Sequence, residues 1–225
     1  MTVILVLVTF FGFVALDWFL HKGKEPVVAP AGEPVPVPAT DRIVGFLAPD
    51  NLRYHAGHAW LHRERLNIAR VGADEFAAAL AGDISKVDLP KPGQWVRQGQ
   101  KVWTLHRSGE LAEMVSPIEG EVIEVNQEVI NNPALLRDDP YGRGWLMTVN
   151  VPDEESTTRN LIPKNLVRAW MRDSVEKLYA LQSSSSAMHA YATAADGGEP
   201  ARDILAGMPE ADWRRVTGQF FLTGN

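Results

Sequence analysis

Between residues 66 and 151 the chain is a succession of short alternating segments cut by glycine and proline. This pattern narrows the possible folds more than any other feature. Residues 66–71, 100–105 and 121–125 alternate apolar and polar side chains in the manner of half-buried strands, and residues 144–151 supply a further strand. Pro90-Lys91-Pro92-Gly93 and residues 117–120 read as turns. Residues 73–81 form a predicted short helix, with Asp74 and Glu75 in its first turn, where negative charge is favoured. Short strands punctuated in this way imply a sandwich or flattened barrel.

The flanks have a different character. Residues 3–20 are almost uniformly apolar, and as a helix they would span roughly 27 Å, close to a hydrocarbon core. Lys22 and Lys24 follow the run instead of preceding it, which argues against a cleaved signal peptide and predicts that this end faces the cytoplasm. The expectation is a single-pass inner-membrane anchor over residues 1–24, carried by Phe10, Phe11, Phe13, Trp18 and Phe19, with membrane lipid as a partner and the C-terminal domain on the cytoplasmic side. Residues 25–40 hold Pro26, Pro30, Pro34, Pro36 and Pro38 and read as an extended spacer.

Residues 164–181 follow Pro163 as an amphipathic helix, with Val167, Met171, Val175 and Leu178 on one face and Trp170 and Leu181 beside them. A domain over 41–182 is then expected to give way to a polar linker over 183–199. A last helix is expected within 200–225, starting at Pro209 with Glu210 and Asp212 in its first turn. Trp213, Val216 and Phe220 form an apolar stripe there, with Phe221 adjacent. Such a face either folds back on its own domain or docks on a partner, and it is the expected docking surface.

The net charge of −6 and the absence of a basic block beyond the N-terminal residues argue against a nucleic-acid partner. The chain has no cysteine, so disulfides and thiolate metal sites are excluded. His55, His58 and His62 have no intervening Glu in the His-Glu-x-x-His sense, so no metal is expected, and His58 is given a structural hydrogen bond. His106 and Glu110 could pair as acid and base, but an exposed hairpin tip is a poor place to tune a pKa. No catalytic constellation and no cofactor are expected.

Several blocks carry a family resemblance. Tyr54-His55-Ala56-Gly57-His58-Ala59-Trp60 comes first. Val71-Gly72, Phe76, Gly82-Asp83-Ile84 and Val87-Asp88-Leu89-Pro90 follow, and Gly93, Val96 and Gly99 continue the series. Ser116-Pro117-Ile118-Glu119-Gly120-Glu121-Val122 comes next, and Asn126, Asn132-Pro133 and Asp139-Pro140-Tyr141-Gly142-Arg143-Gly144-Trp145 complete it. In order and spacing they resemble the lipoyl-carrying H protein of the glycine cleavage system. The resemblance implies a mainly β, lipoyl/biotinyl-carrier-like barrel-sandwich hybrid with a terminal helix. Here it would be preceded by one transmembrane helix and followed by C-terminal helices.

At the position where that family attaches lipoate, the resemblance places Gly109, within His106-Arg107-Ser108-Gly109-Glu110-Leu111. Amide attachment needs a lysine amine, and no lysine lies between Lys101 and Lys164. The leading expectation is therefore a degenerate, membrane-tethered, non-catalytic adaptor or accessory subunit of a larger, plausibly bioenergetic, membrane complex. The alternative is a lipoyl carrier modified at an unconventional lysine and serving a one-carbon or redox system. A weaker third reading is a regulator of lipoate-handling enzymes.

Overall fold

The structure, a computed structural model, describes residues 42–183, 203–207 and 212–224. Its larger sheet is antiparallel throughout. Its six strands lie in the spatial order β3 (Arg53–His55), β4 (Ala59–Arg65), β5 (Ile68–Ala73), β11 (Trp145–Asn150), β10 (Gly120–Val125) and β7 (Trp95–Val96). A second antiparallel sheet joins β6 (Lys86–Asp88), β8 (Lys101–Arg107) and β9 (Glu110–Val115). Two short strands, β1 (Arg42–Ile43) and β2 (Phe46–Leu47), pair with each other ahead of both. The expected strand at residues 66–71 is displaced, because Leu66 and Asn67 form the turn between β4 and β5, with Asn67 at φ 59°.

Alternation along these strands sends Trp60, Val71, Met147, Val149, Trp103, Leu105 and Met114 into one core, each at most 1% exposed. Trp60 faces Gly72 across the β4–β5 ladder. A β-carbon at Gly72 would stand 2.6 Å from the indole, so only glycine lets the ring lie against the neighbouring strand. The indole N–H donates to the Pro140 carbonyl at 3.1 Å, which satisfies the buried donor.

Helix α1 (Glu75–Ala81) begins two residues later than its sequence pattern implies. β5 runs through Ala73, and Asp74 stands as the N-cap, accepting from the Ala77 N–H at 2.7 Å. Three short helices, α2 (Gln127–Asn131), α3 (Leu135–Asp138) and α4 (Glu154–Arg159), fill the connections around β11. Asn126 caps α2 and also donates to the carbonyls of Arg143 and Trp145, each at 2.7 Å.

The segment after Pro163 opens with a 3-10 turn at Lys164–Leu166 and continues as α5 (Val167–Ser183). Met171, Val175 and Leu178 are buried, as the helical spacing implies. The last helix, α6 (Trp213–Phe220), is capped by Asp212, which accepts from the Arg215 N–H at 3.0 Å. Pro209 and Glu210, expected at its start, lie outside the described residues.

One part of the expected architecture is corrected. The transmembrane helix assigned to residues 3–20, with Phe10, Phe11, Phe13, Trp18 and Phe19, lies outside the described residues. Among the described residues no helix is long and apolar enough to cross a membrane. The fold is a mixed β/α, lipoyl-carrier-like arrangement in which a curled half-barrel sheet is flanked by helices.

Candidate functional site: the β8–β9 hairpin and its supports

Strands β8 and β9 pair from Lys101↔Val115 to Arg107↔Glu110, which leaves Ser108 and Gly109 as a two-residue tip. Both have positive φ, 49° and 86°, the requirement of a type I′ turn whose twist matches the strands it joins. A β-carbon at Gly109 would meet nothing within 4 Å, so the tip stands clear of the body. No lysine occupies it. Lys101, at the foot of the hairpin, holds the Glu113 carboxylate at 2.8 Å across the two strands.

His106 does not turn toward Glu110. Its Nε2 lies 2.5 Å from the Asp88 carboxylate, and Lys86 binds the same carboxylate at 2.7 Å. The hydrogen bond from Lys86, then the one from His106, holds the Asp88 carboxyl below its ordinary range. Glu110 is exposed beside the tip.

The C-terminal segment supports the hairpin from behind. Arg107, the last residue before the tip, meets Asp203 with both guanidinium nitrogens, at 3.0 and 2.7 Å, and also donates to the Ala81 carbonyl at 3.1 Å. The Trp213 indole donates to the same carbonyl at 3.2 Å. Thr223 donates to the Glu113 carbonyl in β9 at 3.0 Å. Trp213, Val216, Phe220 and Phe221 are each at most 5% exposed, and the Phe220 ring meets Phe76 of α1 edge-on at 5.2 Å. The stripe expected as a docking surface is thus spent on the chain's own core. The apolar face of α6 lies against α1 and β9, and partner docking through these four side chains is corrected to fold-back.

A second constellation was not legible in the sequence. His58, in the β3–β4 turn at φ 58°, places Nδ1 2.9 Å from Asp74 and Nε2 3.1 Å from the Ser174 hydroxyl of α5. Its ring stacks on Phe76 at 4.3 Å and on Trp170 at 4.6 Å. The acid–imidazole–hydroxyl order is that of a nucleophilic triad. All three side chains are at most 5% exposed, however, and rings cover the imidazole on both sides, so no substrate carbonyl can reach Ser174. The network fastens α5 to the sheet. The sequence marks His58 for a structural hydrogen bond without naming its partners, and Ser174 is a further signal, a polar residue placed on the buried face between Met171 and Leu178.

His55 and His62 make no hydrogen bond to this network. Burial, and secondarily the charge of His58, lowers the His55 pKa, while burial is the main cause lowering that of His62. Among the described residues no three His, Asp or Glu side chains lie close enough together to hold a metal ion.

Residues 52–174, more than half of the chain, match the family described as glycine cleavage H-protein. The glycine cleavage system H protein of Bifidobacterium longum is 39% identical over 107 residues, which cover 48% of this chain and 77% of that one. The probable glycine cleavage system H protein of Aeropyrum pernix is 34% identical over 126 residues, covering 56% and 87% respectively. The crystal structure of a glycine cleavage system H protein from Mycobacterium marinum is 29% identical, covers 47% of this chain and 87% of its own, and superposes with a TM-score of 0.44.

These matches correct the leading functional expectation. Identity at this level over most of an H protein's length places the chain within the family and not as a degenerate offshoot of it. The matched segment brings with it no membrane-crossing element. The membrane-tethered adaptor, its membrane lipid and membrane-complex partners, and the inner-membrane placement are therefore not retained. The protein is non-catalytic, and it belongs to the glycine cleavage H-protein family.

Proposed function

We propose that this chain acts as an H-protein-like carrier or adaptor in a one-carbon or redox system, and that it addresses the enzymes of a glycine cleavage system through the β8–β9 hairpin. The supporting observation is the hairpin itself. It is paired without interruption from Trp103↔Met114 to Arg107↔Glu110, closed by a two-residue I′ turn, sterically open at Gly109, and set in a domain that matches the family from residue 52 to 174. A rigid, projecting tip suits presentation to a partner's cleft, because little ordering entropy remains to be lost on docking.

The tip offers no amine, so in the carrier form of this reading the arm sits on a lysine elsewhere. Lys101 is the lysine of the hairpin, and Lys86 lies on the adjoining strand. Intact-mass measurement of the chain from its native host, with peptide mapping of each lysine, tests the carrier form. Co-purification with glycine cleavage enzymes tests the adaptor form. An unmodified chain that retains none of those enzymes would overturn the proposal.

A further inference from the structure

The C-terminal helix does more than cover the core. Where α6 lies along β9 it leaves a groove of about 610 Å³, within the range of roughly 300–1,000 Å³ usual for binding clefts. One wall is the outward face of the hairpin, including Lys101, Leu111 and Glu113. The other is the exposed side of α6, including Asp212, Arg214 and Arg215. The α6 wall lies beyond residues 52–174, so the groove is an addition to the part of the chain that matches the family.

Its charges are unequally engaged. Glu113 is held by Lys101 at 2.8 Å, and Asp212 is occupied in capping α6. Arg214 and Arg215 are exposed, and neither guanidinium forms an ion pair among the described residues. Among the described residues the lining carries three cations, Lys101, Arg214 and Arg215, against two carboxylates, Glu113 and Asp212, a local positive excess on a chain of net charge −6. Opposite them Leu111 is 47% exposed, an apolar side chain in the same groove two residues after Gly109.

We infer that this groove binds an acidic, amphipathic peptide segment of a partner protein, whose carboxylates meet Arg214 and Arg215 and whose apolar side chain covers Leu111. Guanidinium–carboxylate recognition supplies direction and pairing geometry. The exposed leucine on the facing wall is surface that a small inorganic anion would leave uncovered. The inference does not depend on whether the chain carries a lipoyl arm.

The test uses the full chain and a fluorescently labelled peptide of alternating glutamate and leucine, followed by anisotropy. Saturable binding is expected, weakened about tenfold or more by the double substitution R214Q/R215Q. Leu111→Ser should weaken it by about threefold or more, through the opposite wall. All three positions are exposed, and unchanged thermal melting of the variants confirms their folding. Absence of saturable binding, or equal affinity in the double variant, overturns the inference. Complete displacement of the peptide by inorganic phosphate also overturns it, in favour of a free-anion site.

Discussion

Asp203 grips Arg107 through both carboxylate oxygens, at 3.0 and 2.7 Å, and so ties the C-terminal segment to the residue that precedes the hairpin tip. Both side chains are less than one-fifth exposed, so water screens the pair weakly. Arg107→Gln should lower stability by about 1.5–3 kcal/mol in denaturant unfolding. It should also raise amide hydrogen exchange in both the hairpin and residues 203–207. The exchange of charges, R107D/D203R, should restore only part of this, because the Ala81 carbonyl loses one of its two side-chain donors and keeps only the Trp213 indole.

Trp213→Ala is expected to cost about 3–5 kcal/mol, and α6 should unfold in the same transition as the sheets. Calorimetry should show a single cooperative peak at a lowered midpoint. An early, separate transition for the tail would contradict the shared core.

His58→Ala removes the ring between Phe76 and Trp170 and leaves Asp74 buried without its imidazole partner. A loss of about 3–5 kcal/mol is expected. Ser174→Ala removes one hydrogen bond and should cost about 1 kcal/mol. Urea midpoints of the two variants should rank in that order.

Stability should fall on acidification through the ordinary histidine pKa. His55 and His62 have folded-state values lowered by burial. Below 6.5 the unfolded chain therefore binds protons that the folded chain does not yet bind, and unfolding is favoured as pH drops. His55→Gln should flatten the dependence of Tm on pH between neutral and mildly acidic buffer.

Gly109→Lys places an amine on the tip. The position is sterically open, but its φ of 86° is unfavourable for a side chain, so a cost of about 1 kcal/mol is expected. Incubation with a lipoate ligase should add a lipoyl mass at position 109 of the variant, a site that peptide mapping distinguishes from Lys101 and that the unsubstituted chain lacks.

What the sequence made legible was local and periodic. The alternation of β8, β10 and β11, the Ser108–Gly109 turn and the Met171–Val175–Leu178 face all follow from spacing and turn chemistry. Helices α2 to α4 were missed because each is too short for a period to show. The contacts that organise the site join distant parts of the chain: 116 residues separate His58 from Ser174, and 96 separate Arg107 from Asp203. Periodicity marks such side chains as buried or polar without naming the partner. The α6 stripe illustrates the same limit, since its amphipathicity required a cover but did not specify whether another protein or α1 would provide it.

The burial of Phe220 and Trp213 against α1, with α6 lying along β9, has a consequence for anyone shortening this protein. A fragment cut at the end of the matched segment would carry every strand among the described residues and still be incomplete. It would expose Phe76 and the alanine-rich face of α1 to water, and it would strip Thr223 from β9, an edge strand of the smaller sheet. A bare edge beside a greasy patch invites sheet-to-sheet association. The minimal folding unit therefore extends past the homologous one, to the last turn of the chain.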